Sequence, residues 1–331
     1  MDSAAAALLL KEQGHLCEGA MMRLCGNEDA GDARAVTEAL GIPFHIIDAE
    51  KHFQRHVITP FAEAYRAGRT PNPCVNCNRQ LKFGVFLDFA DSLGFASAAT
   101  GHYARAERDG GRFLLKKGLD PSKDQSYVLY ALTQRQLGQA VFPLGGLTKK
   151  QVRELSHGLL PNAHKLESQD ICFVPDGDYA GFIERYTNKP SPKGRFTDTD
   201  GNDLGEHRGL IHYTVGQRRG LGLNHSEPLY VKELRPESNT VVVGMAESLF
   251  SKTLTVQNIN LIAADRLDAP LRAKVKIRYR HPGQPATVTQ TGEDTLHIAF
   301  DAPQRAVTPG QAAVIYQDDI VIGGGTICQP H

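Results

Sequence analysis

The first half of the chain alternates two kinds of hydrophobic pattern. Apolar residues recur every three to four positions in AAAALLLKEQG, EDAGDARAVTEALG, FQRHVITPFAEAYRAG and NRQLKFGVFLDFADSLG, which predicts four helices. Short apolar runs in HLCEGAMM, PFHIIDA and ASAATGHY are typical of buried strands. Strands separated by helices of this length predict an α/β fold with a doubly wound parallel sheet.

The second half of the chain has a different texture. From about residue 178, short strand patterns punctuated by glycine and proline follow one another in KGRFTDTDGNDLGEHRG, LIHYTVGQRRGLGL and PLYVKELRPESNTVVVG. After about residue 250, strand patterns dominate and turn signals recur at short intervals, which is typical of a small antiparallel β-barrel. We therefore predict an α/β domain at 1–177, a small middle domain at 178–249 and a C-terminal antiparallel β-barrel at 250–331.

Composition narrows the class of protein. The 331 residues are 41% hydrophobic and 22% charged, and no apolar run approaches the length of a membrane-spanning helix. Lysine plus arginine equals aspartate plus glutamate, 37 against 37, so overall charge indicates no partner. Six cysteines are too few for a disulfide scaffold, and no export signal is present. The expected location is the cytoplasm, with no membrane partner.

A basic pattern occupies the stretch LRAKVKIRYR in the predicted barrel. Five basic residues alternate with mostly apolar ones, so one face of a strand would be wholly basic: Arg272, Lys274, Lys276, Arg278 and Arg280. No acidic residue falls between Asp268 and Glu293 to neutralise that face. A solvated strand face is the plain interpretation. Binding of phosphate groups, with nucleic acid as the natural partner, is the functional one.

Two cysteines stand three positions apart in RTPNPCVNCNRQLKF. Pro71 and Pro73 disfavour helix in TPNP, so a helix is predicted to begin at Asn78. Cys77 would then lie at a helix N-terminus, where the helix dipole and free N–H groups favour a thiolate. The interpretation is that this loop presents a reactive thiol.

The CxxC formed by Cys74 and Cys77 has three interpretations: metal ligation, a redox couple, or two buried small residues. A tetrahedral zinc site would need two more ligands at short spacing, and neither a second CxxC nor a closely spaced histidine pair is present. Cys172, in LESQDICFVPDGDY, is either the distant partner of these thiols or an inert buried thiol. From the residues alone, both possibilities stand.

Several motifs, taken together and in order, resemble those of the bacterial tRNA-specific 2-thiouridylase family. They are TPNPxxxCN before a helix, ATGHY, LDPSKDQSYVLY, SQDICF, YTVGQRRGLGL, and RYR followed by TPGQAAV. The similarity covers nearly the whole chain. It implies a pyrophosphatase-loop ATP domain with an adenine nucleotide hydrolase-like fold, a middle tRNA-binding domain and a β-barrel domain.

The resemblance also implies an activity, that of a tRNA-uridine 2-sulfurtransferase. ATP, with Mg²⁺, would adenylate the oxygen on carbon 2 of the wobble uridine, and a persulfide sulfur would displace AMP. By position, Cys77 is the implied nucleophile and Cys172 the implied persulfide carrier, and a disulfide would form between them as sulfur is released. The implied partners are the tRNAs for lysine, glutamate and glutamine, and a sulfur carrier or cysteine desulfurase that donates a persulfide.

Other site residues carry over by position. The implied nucleotide contacts are Asp2, Ser3, Met22 and Gly101. The residues implied to face the target base are Asn72, Pro73 and Cys74. The implied tRNA contacts are His102, Lys123, Asp124, Gln125, Arg278, Tyr279 and Gln311. Each has a plain alternative, such as Met22 in a core or His102 as a satisfied interior histidine. Arg278 and Tyr279 would point to opposite faces of a regular strand, so a joint contact requires a strand end or a bulge.

The first departure from the family pattern is at the N-terminus. Family members open with a strand and SGGVDS, whose glycine-rich turn binds the pyrophosphate of ATP through backbone N–H groups. This chain begins MDS and retains Asp2 and Ser3 of that signature, which we interpret as an N-terminal truncation from a start codon assigned too late. A protein beginning at Met1 is accordingly expected to be poorly stable and nearly inactive.

The second departure is Cys74, where many relatives carry aspartate. Three thiols, Cys74, Cys77 and Cys172, could instead hold a four-iron–four-sulfur cluster with one open iron site, which is an alternative route to the same reaction. Two other classes remain open. They are a different ATP pyrophosphatase-type enzyme, such as an amide-forming ligase, and an inactive remnant that binds tRNA without catalysis.

Overall fold

The computed structural model describes residues 1–26, 28–157 and 171–330. Up to residue 187 these contain nine α-helices: α1 (Asp2–Glu12), α2 (Gly31–Leu40), α3 (Glu50–Phe53), α4 (Thr59–Arg66), α5 (Pro73–Asn76), α6 (Phe86–Ser92), α7 (Gln134–Gln139), α8 (Lys149–Ser156) and α9 (Tyr179–Thr187). The strands of the same part are β1 (Gly19–Arg23), β2 (Phe44–Asp48), β3 (Ala98–Ala99), β4 (Ala104–Asp109), β5 (Arg112–Lys117) and β6 (Ala140–Val141).

Parallel pairing is present where strand–helix–strand alternation predicted it. β1 pairs in parallel with β2, and β3 pairs in parallel with β6, whereas β4 and β5 form an antiparallel hairpin. The α/β class predicted for this part of the chain is confirmed. Among the described residues, no helix has both the length and the apolar character needed to cross a membrane.

The predicted helix around Pro60 is divided into three segments. α3 passes into a π-helical segment, Gln54–Ile58, and α4 follows with Pro60 in its first turn. Proline is tolerated there because the N–H groups of a first turn have no partner inside the helix. Asp2 lies inside the first turn of α1, and no side chain of the described residues caps that helix.

The middle part of the chain forms a small four-stranded sheet. Its strands are β7 (Gly194–Thr197), β8 (Asp203–His207), β9 (Tyr230–Arg235) and β10 (Thr240–Gly244), in the spatial order β8-β7-β10-β9. Phe196, Tyr213, Val231 and Val241 are buried beneath this sheet and form a core of their own. The predicted middle domain is therefore present, as a PRC-barrel type of fold.

The C-terminal part is a closed antiparallel barrel, as predicted. Its six strands are β11 (Phe250–Leu261), β12 (Leu271–Lys276), β13 (Gln284–Gly292), β14 (Thr295–Arg305), β15 (Ala312–Gln317) and β16 (Ile320–Pro330). They follow the order β11-β14-β13-β12-β15-β16, and pairing of β16 with β11 closes the barrel. Inward residues such as Val275, Val288 and Ile298 fill the interior. Alternation of buried and exposed residues is what closure of such a sheet requires.

The barrel and the N-terminal part share a sheet and a core. Strand β16 pairs with β5, so the β4–β5 hairpin extends the barrel sheet. The Arg105 guanidinium donates to the Asp319 carboxylate at 2.6 Å across this junction. Tyr127 and Leu129 are buried in one cluster with Val314 of the barrel. The barrel is thereby fixed beside the loops that carry the cysteines.

Candidate active site

The cysteine loop becomes helical earlier than expected. The Asn72 side chain accepts a hydrogen bond from the Cys74 N–H at 3.1 Å and starts α5, with Pro73 as its first residue. Asn72 is extended, which is the conformation favoured before proline, and proline at the first helical position loses no hydrogen bond. The prediction that the helix begins at Asn78 is therefore wrong.

Cys77 consequently lies one turn inside a helical segment and not at its N-terminus. α5 continues into a π-helical segment, Cys77–Val85, and the half-buried Cys77 packs against the cluster that contains Leu81 and Phe173. Burial raises the pKa of the Cys77 thiol to about 11, although the positive charge of Lys82 opposes this shift. The expected thiolate is therefore wrong for this state of the protein, in which Cys77 is protonated near neutral pH.

Cys172 approaches the same helix from a distant part of the chain. Its neighbours Ile171 and Phe173 pack in the apolar cluster that also contains Leu81 and Cys77. A negative charge on Cys172 would raise the pKa values of Cys74 and Cys77, so the three thiols lie within electrostatic reach of one another. All three are free thiols, and the predicted disulfide stays a prediction. Residues 168–170 of the SQDICF motif lie outside the described residues.

Lys82 lies near the three thiols, Cys74, Cys77 and Cys172, and the sequence analysis did not identify it. It follows Cys77 by five residues in a segment with π-helical, i to i+5, hydrogen bonding, so the two side chains share one side of the helix. Burial raises the pKa values of the Cys74 and Cys172 thiols, and the Lys82 ammonium is the main group that lowers them. Within the described part of the chain, Lys82 makes no hydrogen bond or ion pair. The five-residue spacing between Cys77 and Lys82 is the feature of the sequence that could have identified this lysine.

The three thiols do not fit a four-iron cluster as they are placed. Across residues 1–26, 28–157 and 171–330, no group of three or more histidine, cysteine, aspartate or glutamate side chains could hold a metal ion. A cluster held by three thiolates would require the sulfurs of Cys74, Cys77 and Cys172 to converge on adjacent irons.

A second group of predicted residues meets at the start of α1. A Cβ on Gly101 would lie 2.6 Å from the carbonyl carbon of Asp2 and 2.7 Å from the nitrogen of Ser3, so only glycine fits. The Asp2 carboxylate accepts hydrogen bonds from Lys149 Nζ at 2.7 and 2.9 Å and from the Tyr103 hydroxyl at 3.1 Å.

Lys149 is 5% exposed, and sequence reasoning missed it because nothing local ties it to Asp2. The first turn of α1 has backbone N–H groups beside Gly101. Such groups at the start of a helix fit the phosphate groups of a nucleotide.

Met22 and His102 are less accessible than their predicted roles imply. Met22 is half-buried against the apolar cluster of Cys77, and the His102 side chain is 7% exposed. The His102 ring lies near Phe83 and its Nδ1 is 2.8 Å from the Thr100 hydroxyl. Burial lowers the pKa of His102 well below its ordinary value, so the ring is neutral. The predicted contacts with nucleotide and tRNA stay predictions.

The segment Lys123–Gln125 meets Tyr279 of the barrel. The Asp124 carboxylate accepts hydrogen bonds from two backbone N–H groups and from the Ser126 hydroxyl, and the Tyr279 hydroxyl donates to the Asp124 carbonyl at 3.2 Å. Strand β12 ends at Lys276, and both Arg278 and Tyr279 are exposed beyond it. This is the strand end that a joint contact by these two residues requires.

The basic face of β12 is less uniform than its sequence predicts. The Arg272 guanidinium pairs with both oxygens of the Asp301 carboxylate, at 2.8 and 2.7 Å. Lys276 lies over the rings of Tyr127 and Tyr279, and burial lowers its pKa. The expectation of an unneutralised face is therefore wrong at Arg272, because its partner lies on β14, two strands away in the barrel. The basic residues of this stretch that stay exposed, with no carboxylate partner among the described residues, are Lys274, Arg278 and Arg280.

Three family models together match most of the chain. The model described as tRNA methyl transferase HUP domain matches residues 1–176, the tRNA methyl transferase PRC-barrel domain matches 180–245, and the aminomethyltransferase beta-barrel domain matches 251–327.

Curated relatives match over nearly their whole length. The tRNA-specific 2-thiouridylase MnmA of Clostridioides difficile (strain 630) is 43% identical over 343 residues, covering 99% of this chain and 95% of the relative. MnmA 2 of Thermoanaerobacter sp. (strain X514) is 46% identical over 345 residues, covering 99% and 95%. MnmA of Syntrophotalea carbinolica is 47% identical over 337 residues, covering 99% and 96%.

Proposed function

The chain belongs to the tRNA-specific 2-thiouridylase family, and on that premise we propose that it replaces the oxygen on carbon 2 of the wobble uridine of tRNA with sulfur, at the expense of ATP. The observation that supports this proposal is that Cys77 and Cys172 lie within electrostatic reach of each other and of Lys82. Cys77 packs in an apolar cluster with Ile171 and Phe173, the two neighbours of Cys172, and one cation acts on both thiols, which is an arrangement suited to sulfur transfer.

The nucleotide is proposed to bind at the start of α1, beside Asp2, Ser3 and Gly101. The uracil oxygen attacks the α-phosphorus of ATP and pyrophosphate leaves. Mg²⁺, when bound with ATP, would balance the phosphate charge. This step converts a poor leaving group into AMP. Lys149 holds the Asp2 carboxylate and thereby fixes the first turn of the helix against Gly101.

Sulfur transfer then follows in two displacements. The terminal sulfur of a Cys172 persulfide attacks carbon 2 and AMP leaves, so that a disulfide joins Cys172 to the base. Cys77 loses its proton and attacks the Cys172 sulfur, and the bond to the transferred sulfur breaks. 2-Thiouridine takes up a proton and leaves as a Cys77–Cys172 disulfide forms. A thiol reductant must return both cysteines to thiols before the next turnover. The Lys82 ammonium stabilises the negative sulfur in each displacement.

The proposed partners follow from the same chemistry. tRNA would contact the exposed basic residues at the end of β12 and the Lys123–Gln125 segment. We propose the tRNAs for lysine, glutamate and glutamine as substrates, and a sulfur carrier or cysteine desulfurase of the cytoplasm as the persulfide donor.

Mass analysis of tRNA nucleosides tests the proposal. Cells that lack the gene should lose 2-thiouridine derivatives, and the gene supplied on a plasmid with its native flanking DNA should restore them. Cys77→Ser and Cys172→Ser should fail to restore them, whereas Cys17→Ser, which changes a free cysteine distant from the cluster in the chain, should succeed. Normal 2-thiouridine in the deletion strain, or restoration by Cys77→Ser, would contradict the proposal.

A further inference from the structure

A loop of the C-terminal barrel is hydrogen-bonded to the chain just before the cysteine loop. The Gln311 side-chain amide donates to the Thr70 carbonyl at 2.8 Å, and the Thr70 N–H donates to the Pro309 carbonyl at 2.9 Å. Both polar groups of the Thr70 backbone are therefore bonded to the barrel. Thr70 lies two residues before Asn72, whose side chain starts the helix that carries both cysteines.

Gly310 makes this approach possible. Its φ of +91° lies in the region that favours glycine, and a Cβ there would lie 2.9 Å from the nitrogen of Thr70 and 3.0 Å from the Cβ of Arg69. The loop is itself held to the barrel, because the Gly310 N–H donates to the Ile327 carbonyl and the Ile327 N–H donates to the Gln311 carbonyl, each at 2.8 Å. A rigid edge of the barrel thus presses on the Thr70 backbone.

The chain between Thr70 and Cys74 transmits this restraint. Pro71 and Pro73 fix two of the backbone torsions in that stretch, so little freedom separates the held Thr70 from the first turn of α5. A displacement of Thr70 would therefore move the Asn72 cap, and with it the side chains of Cys74 and Cys77.

We propose that Gln311 and Gly310 are positioning residues for the cysteine loop, so that the tRNA-binding barrel also sets the geometry of the thiols. The catalytic meaning of this role rests on the proposed function, whereas the restraint on residues 69–77 does not. The resemblance assigns Gln311 to tRNA contact. One of the two N–H groups of its side-chain amide is bonded to the Thr70 carbonyl, and this bond is what a positioning role requires.

Hydrogen exchange of residues 69–77, measured on the full chain without ATP or tRNA, tests the restraint. Gln311→Met keeps the length of the side chain but removes the donor. Loss of one hydrogen bond should accelerate exchange in this segment by roughly two- to tenfold. Gly310→Ala should accelerate it more, because its methyl group meets backbone atoms.

Two matched variants separate the restraint from general effects. Gln317→Met changes an exposed glutamine at the other end of β15, and Gly283→Ala changes a glycine at φ +79° whose nearest atom would be 3.4 Å away. Both should leave exchange in residues 69–77 at the wild-type rate.

Kinetics supply the second readout. At saturating tRNA, Gln311→Met should lower the single-turnover rate of thiolation, whereas a residue that only contacts tRNA would raise KM and leave that rate unchanged. Wild-type exchange in residues 69–77 for both Gln311→Met and Gly310→Ala would overturn the inference, whatever happens to tRNA affinity. Faster exchange in a protein that forms no 2-thiouridine would support the restraint and refute only the proposed function.

Discussion

Gly101→Ala should loosen the start of α1. The new methyl carbon would lie 2.6 Å from the carbonyl carbon of Asp2 and 2.7 Å from the nitrogen of Ser3, and both are backbone atoms that cannot rotate away. The φ of Gly101 is not in the left-handed region, so the penalty is steric and not torsional. Overpacking of this kind costs about 1–3 kcal/mol, and displacement of Asp2 also weakens its bonds to Lys149 and Tyr103.

Hydrogen exchange in α1 is the suitable assay, because it reports local opening of that helix. Global unfolding is less suitable, since a chain of this size and organisation does not unfold in one two-state transition. A loss of about 1–3 kcal/mol corresponds to hydrogen exchange in α1 that is about five- to 150-fold faster, since about 1.4 kcal/mol is a factor of ten. Affinity for a non-hydrolysable ATP analogue should fall in the same variant. Gly146→Ala is the matched control, because no atom of the described residues lies within 4 Å of its added carbon and its φ is ordinary. Equal exchange in α1 for the two variants would refute the reasoning.

Three further predictions concern ionisable side chains. Lys82→Gln should slow alkylation of Cys77 by iodoacetamide at pH 8 severalfold. The Lys82 ammonium lowers the Cys77 pKa, so its removal raises that pKa and leaves less thiolate. Peptide mass spectrometry measures the alkylation rate, and an unchanged rate would count against the shared cation. Arg278→Ala should reduce the slope of log K for tRNA binding against log salt concentration by about 1. Arg272→Ala should reduce this slope less, because Arg272 is paired with a carboxylate. A larger reduction by Arg272→Ala would contradict the assignment of the basic face. The neutral, buried His102 has a folded pKa below its unfolded one, so stability should fall as pH drops from 7 towards 5. The urea midpoint should fall less over this range in His102→Asn than in the wild type, and equal falls would refute the reasoning.

The sequence predicted the features that depend on local pattern. Helix and strand alternation gave the α/β class, and regular alternation with frequent turns gave the barrel. Gly101 of ATGHY was assigned by the resemblance to nucleotide contact, which stays a prediction, and the structure shows it in close contact with Asp2. These features are recoverable because a spacing or a residue type is sufficient to specify them.

The sequence did not predict features that depend on distant partners. Proline was taken to exclude helix before Asn78, but the Asn72 side chain makes Pro73 a suitable first helical residue. The Cys77 thiol was expected to ionise, but burial outweighs the nearby charge and raises its pKa. Arg272 finds Asp301 across two strands, which no pattern within LRAKVKIRYR could indicate.

The proposed function requires Cys172 to carry the sulfur that enters the wobble uridine and Cys77 to release it by forming a disulfide with Cys172. The most direct test loads the purified protein with a persulfide donor and follows a single turnover with ATP and tRNA by mass spectrometry of cysteine peptides and nucleosides. The extra sulfur should reside on Cys172 and disappear as 2-thiouridine and a Cys77–Cys172 disulfide form in equal amounts. Undiminished 2-thiouridine from Cys172→Ala, or turnover that leaves Cys77 as a free thiol, would contradict the account.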